Sequence, residues 1–89
     1  MKYFYVYVLQ SYKDLNFYVG FTTNIEQRVE THSRGKVNST KNRLAVILVY
    51  WDGCLSQEDA TQREKYLKTA WGKRYIKNRL KDFIKRGIE

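Results

Sequence analysis

A chain of 89 residues and 10.7 kDa has room for one domain, whose core buries only about 60–65 % of the unfolded surface. Its single cysteine, Cys54, excludes an internal disulfide and a cysteine-built zinc site, and no apolar run approaches the ~20 residues of a membrane span. The net charge of +8 is concentrated: residues 65–86 carry nine Lys or Arg against the one acid Asp82, and the remainder is balanced. Charge gathered on one segment points to a polyanionic partner, and the lack of an amphipathic apolar stretch favours nucleic acid over membrane. The tyrosine-rich start has no small-residue cleavage site and is not expected to act as a secretory signal, so the expected setting is the reducing cytoplasm.

Residues 2–10, KYFYVYVLQ, are aromatic and β-branched on both faces and predict a strand buried on both sides. YKDLN supplies turn residues, and FYVGFT (17–22) returns as the second strand of a hairpin, with Phe17, Val19 and Phe21 alternating. Gly20 interrupts that strand. Glycine loses backbone entropy there and packs nothing, so it marks a bulge, a tight packing position, or a place where another group must approach the backbone. Thr23-x-x-Glu26 has the form of a capping box opening a helix that Gly35 would stop. A polar, basic loop (35–43) leads to a third strand, LAVILVYW (44–51). Ser56-x-x-Asp59 opens a second helix expected to run to about Trp71 and end at Gly72. The last helix is expected over about 73–86, with Ile76, Leu80, Phe83 and Ile84 on its inner stripe. The predicted fold is α+β, of order ββαβαα, with a three-stranded antiparallel sheet flanked by helices.

Several polar residues fall on faces that should be apolar. On the first helix Arg28 and His32 lie beside the stripe formed by Ile25 and Val29. On the second, Glu64 sits on the stripe of Ala60, Leu67, Ala70 and Trp71. Ionisable groups turned toward a sheet are costly unless paired or used. Each has a structural alternative: Arg28 as a snorkelling edge residue, Glu64 as the i+4 partner of Lys68, and His32 as a satisfied structural histidine. Their convergence with Tyr18 and Gly20 is what distinguishes them from isolated polar residues.

These motifs in order resemble the GIY-YIG nuclease superfamily, in particular its short standalone bacterial members. Tyr5-Val6-Tyr7 corresponds to the first motif and Tyr18-Val19-Gly20 to the second. NIEQRVETH carries the family's Arg and His at Arg28 and His32, STKNR (39–43) is similar to its loop before the third strand, and QREKYLK carries the metal-binding glutamate at Glu64. The match spans about residues 2–80. Tyr5 replaces the glycine of the first motif, and Phe21 stands where related enzymes often carry Tyr or Lys.

The resemblance implies hydrolysis of a DNA phosphodiester with Mg²⁺ or Mn²⁺, in repair or recombination. A free tyrosine, with a pKa of about 10, is a weak base unless a nearby cation favours the phenolate. In this reading Tyr7 activates water, Tyr18 orients water or phosphate, and Arg28 grips the non-bridging oxygens. Glu64 holds one metal ion, His32 shares a proton relay or hydrogen-bonds a tyrosine, and Gly20 keeps space for the tyrosine opposite or for DNA. Lys36, Lys41, Arg43, Lys73, Arg74, Lys77 and Lys81 are the candidate contacts to the DNA backbone, and Asn78 stands near them. None of these residues forms a set suited to reading base edges, so a preference for DNA shape is expected, with a protein partner or a second copy as candidate sources of specificity. The alternative is a nucleic-acid-binding module that keeps the nuclease fold with little or no cleavage.

Overall fold

FYVYVLQS, apolar or aromatic along most of its length, forms the middle strand β1 (Phe4–Ser11), and every residue from Val6 to Ser11 is buried. The protein is described by a computed structural model covering residues 2–34 and 46–87. On one side β1 pairs antiparallel with β2 (Phe17–Thr22), on the other with β3 (Val46–Cys54), giving the order β2-β1-β3. Helical residues cover this strand on both faces, Ala60, Leu67 and Ile76 on one and His32 on the other, which is why it carries apolar groups on both.

The hairpin turn is held by its own polar groups. Ser11 N–H donates to the Asn16 carbonyl at 3.1 Å, Leu15 N–H to the Ser11 carbonyl at 2.9 Å, and Asn16 N–H to Asp14 Oδ1 at 2.9 Å. Leu15 adopts a φ of 62°, in the left-handed region that costs a non-glycine residue roughly 1–2 kcal/mol. In that conformation its carbonyl receives Gln10 Nε2 at 3.0 Å.

The helices are α1 (Ile25–Ser33), α2 (Gln57–Leu67), α3 (Ala70–Arg79) and α4 (Lys81–Arg86). Asn24, one residue beyond the expected Thr23, caps α1 by accepting from Gln27 N–H at 3.1 Å. Gly35 lies outside the described residues. Ser56 caps α2 as predicted. The ββαβαα order holds, but several boundaries differ from expectation, and β3 runs on to Cys54, past the expected end at Trp51. The second helix ends at Leu67, and the terminal helix begins at Ala70 and divides at Leu80. Trp71 therefore leaves the predicted apolar stripe and is 68 % exposed, and Ile84 is exposed as well.

Gly72 is not a stop signal. It lies in the first turn of α3, donates its N–H to the capping Thr69 hydroxyl at 3.1 Å, and is buried. A Cβ at this position would overlap the Tyr66 carbonyl oxygen and Leu67 Cα, which are backbone atoms that cannot rotate away. Gly72→Ala is therefore expected to destabilise the fold by about 1–3 kcal/mol or more, read as a lowered thermal midpoint. An unchanged midpoint would mean that the α2–α3 corner relaxes freely.

The two faces of the sheet have different work. Val6 and Val8 point to a core closed by Ala60, Leu67 and Ile76, with Phe17, Val19 and Phe21 of β2 packed against it. The other face carries Tyr7, and α1 reaches it through His32. Between Val8, paired with Tyr50, and Leu9, paired with Leu48, a bulge in β3 shifts the register by one residue.

Candidate active site

Tyr7 pairs with Gly20 across the hairpin. Its ring lies over the glycine backbone, and a Cβ there would overlap the Tyr7 Oη and Cζ atoms. The absence of a side chain is what lets the ring take this position beside β2 and present its hydroxyl to α1. Arg28 and His32 are one turn apart, so both reach the same point. Arg28 Nε donates to Tyr7 Oη at 3.1 Å, and Oη lies 2.9 Å from His32 Nε2. The Tyr7 and His32 rings meet edge to face with centroids 5.7 Å apart.

His32 is only 3 % exposed. Desolvation first, and the Arg28 charge second, hold its pKa below the usual histidine value of 6.5. A neutral imidazole can accept at Nε2, so Tyr7 accepts from Arg28 and donates to His32. The hydroxyl thus sits between a permanent cation and a neutral base.

Tyr7, Tyr18, Gly20, Arg28, His32 and Glu64 line one cavity of about 240 Å³, together with Val19 and Phe21. The sequence motifs, scattered over two strands and two helices, converge there. Tyr18 donates its hydroxyl to Asp14 Oδ2 at 3.3 Å. Glu64 pairs with Lys68 at 3.1 Å, as the structural alternative has it, and it also lines the cavity. Among the described residues no three His, Cys, Asp or Glu gather as a metal cage. A lone carboxylate nevertheless suits Mg²⁺, which commonly binds through one or two carboxylates and retains several waters.

The predicted basic contacts divide. Lys73, Lys77 and Lys81 line a neighbouring groove, whereas the Arg74 guanidinium stacks over the Trp71 ring at 5.1 Å. Lys36, Lys41 and Arg43 lie outside the described residues.

A second polar group was not anticipated from the motifs. Arg63 Nε donates to Asp52 Oδ2 at 2.8 Å, Arg63 Nη2 to Tyr50 Oη at 3.2 Å, and Tyr50 Oη reaches the Asp52 carboxylate at 2.9 Å and Tyr75 Oη at 3.2 Å. Burial, and then the hydrogen bond with Tyr75, push the Tyr50 phenol well above its ordinary range. The hydrogen bond shared with Tyr50 draws the Tyr75 phenol the other way. The signal in the sequence was Tyr50 and Asp52, two residues apart in a strand and so on one face. The group ties β3 to α2 and α3, and none of its members lines the cavity around Tyr7.

The GIY-YIG catalytic domain family matches residues 3–78, and the chain belongs to it. Among its relatives is a UPF0213 protein of Staphylococcus haemolyticus, 44 % identical over 66 residues that make up 73 % of this chain and 79 % of the relative. A UPF0213 protein of Bacillus licheniformis is 39 % identical over 84 residues, 90 % and 86 % of the two chains. One of Streptococcus pneumoniae is 40 % identical over 65 residues, 72 % of this chain and 65 % of the relative. These names state no activity. No solved structure matches the chain.

Proposed function

We propose that the chain is a metal-dependent endonuclease that hydrolyses DNA phosphodiester bonds, with Tyr7 activating the attacking water. The observation that carries this is the Tyr7 hydroxyl held between Arg28 Nε and His32 Nε2 in a cavity that also holds Glu64.

Hydrolysis requires a proton to leave water, extra charge to be stabilised on the phosphoryl oxygens, and the 3′-oxygen to depart. Tyr7 gives its proton to His32 Nε2 and takes one from the water that attacks phosphorus. The bond from phosphorus to that water oxygen forms as the bond to the 3′-oxygen breaks, leaving a 5′-phosphate and, after protonation, a 3′-hydroxyl. Arg28 holds Tyr7 Oη through its Nε, and its other N–H groups can bind non-bridging oxygens. Tyr18, which also lines the cavity, orients water or phosphate. Glu64 would hold Mg²⁺ or Mn²⁺ once Lys68 releases it, and a bound ion supplies Lewis-acid stabilisation of the leaving oxygen.

The test is cleavage of duplex, flapped and branched DNA with Mg²⁺ or Mn²⁺, by wild type, Arg28→Ala and Glu64→Ala, each checked for folding. Metal-dependent cutting should fall by at least about 100-fold in both variants, with DNA affinity changed only a few-fold. Tight binding by wild type without cutting would overturn the proposal and assign the chain to the nucleic-acid-binding alternative. Phe21, which puts an apolar wall on the cavity, would then be the first residue to change to Tyr.

A further inference from the structure

A groove of about 850 Å³ runs between the hairpin turn and the α3–α4 helices, several times the volume of the cavity around Tyr7. One wall carries Lys73, Lys77, Lys81 and Lys85, one cation per helical turn. None of the four pairs with a carboxylate among the described residues, and Asp82, within the same stretch, is taken by Arg86 at 3.1 Å. The facing wall is apolar, built by Leu15 and Phe17. Tyr18 lines both this groove and the cavity around Tyr7, so the two adjoin the same side chain.

Gln10 also lines the groove. It is 6 % exposed, its Nε2 is committed to the Leu15 carbonyl at 3.0 Å, and its Oε1 has no hydrogen-bond partner among the described residues. Turning the amide over would set its oxygen against the Leu15 carbonyl, so the unpaired atom is the acceptor. A buried acceptor without a donor is a place for an incoming N–H. Leu15 itself holds the left-handed backbone that shapes this rim.

We infer that this groove takes an unpaired stretch of the substrate strand beside the cut phosphate, so that the protein selects single-stranded segments and frayed junctions over continuous duplex. The inference rests on the nuclease reading above for what lies next door. A row of cations facing an apolar and aromatic wall is how single strands are held: phosphates follow the charge, and base faces pack on the other side. Every base also offers an N–H edge for an unpaired acceptor. A duplex can meet the lysine row, but its bases are stacked and paired and cannot reach Phe17 or Gln10. The volume falls in the ~300–1,000 Å³ range of sites that enclose a drug-sized molecule, which suits a short run of nucleotides.

Binding is measured by fluorescence anisotropy in EDTA, which separates it from cutting, with a short oligothymidylate and a duplex of equal length. Wild type should bind the single strand about tenfold more tightly at equal salt. Asn78→Phe fills the groove without changing charge and should weaken the single strand by about tenfold, with the duplex unchanged within twofold. Asn16→Phe, from the opposite rim, should repeat the result if the first variant folds poorly. Equal affinity for the two DNAs, or variants that affect both alike, would overturn the inference. So would tighter binding of polyglutamate than of the oligothymidylate, which would make the groove a protein-docking site. Selective binding without any cleavage would keep the groove and remove the nuclease reading; cleavage without selectivity would do the reverse.

Discussion

Tyr7→Phe is expected to lower the cleavage rate by about 10²–10⁴-fold, the usual contribution of a positioned proton-transfer group, while the sheet stays intact. The ring stays where Gly20 lets it lie, so packing is conserved and only Oη is removed. Arg28 Nε and His32 Nε2 then lose a partner, at a cost of no more than about 1–3 kcal/mol because the cavity can hydrate them. Cleavage and thermal unfolding measured together decide the matter: a variant that cuts at the parental rate would move water activation to another residue. The pH profile of the wild type adds a second check. His32 must be neutral to accept the Tyr7 proton, and its pKa lies below 6.5. The rate should therefore fall on the acid side of that value and be level above it, and His32→Gln should remove the acid limb. Stability has the same sign. Below 6.5 the unfolded chain takes up a proton that folded His32 resists, so stability is fully present above 6.5 and declines as the pH falls through the folded pKa.

Gly20→Ala is expected to cost about 10²-fold in rate, the effect of a displacement of order 1 Å at a reacting group. The added Cβ would overlap Tyr7 Oη and Cζ, so the ring must swing off Arg28 and His32. Because a side chain yields and not backbone, the stability loss should stay near the lower end of the ~1–3 kcal/mol typical of overpacking. This contrasts with Gly72, where the obstructing atoms are backbone. Single-turnover cleavage and a thermal melt on the same preparation separate the two effects. Parental cleavage by Gly20→Ala would show that the ring has a second productive position.

Most of the hairpin and the convergence of the site could be read from the chain because both depend on local alternation. Phe17, Val19 and Phe21 alternate, and a glycine among them is out of place for a strand unless something crosses it. Arg28 and His32 were legible for a similar reason, as polar residues one turn apart beside an apolar stripe. The α2–α3 corner was not legible. Ala70 and Trp71 continue the helical period of Ala60 and Leu67, yet the chain breaks between Leu67 and Ala70. Thr69, with its hydroxyl accepting from Gly72 N–H, was the available sign of a new helix. Gly72 was ambiguous because close approach and helix termination both call for glycine, and only the fold decides between them. The Arg63–Asp52 pair is a contact between elements whose spacing carries no period, and pairs of that kind leave no pattern in one sequence.

The position of Tyr7 in the middle strand separates two kinds of failure. Backbone hydrogen bonds to β2 and β3 lock β1 from both sides, so its amides should exchange with solvent only when the whole molecule opens. Arg28 and His32 ride instead on α1, a nine-residue helix that packs over one face of the sheet. A short helix can detach at far lower free energy than a central strand. The Tyr7 hydroxyl would then remain in register while His32 and Arg28 drift away from it. The Tyr7 hydroxyl would thus lose its two partners before the sheet comes apart, and reattachment of one helix would be enough to restore them.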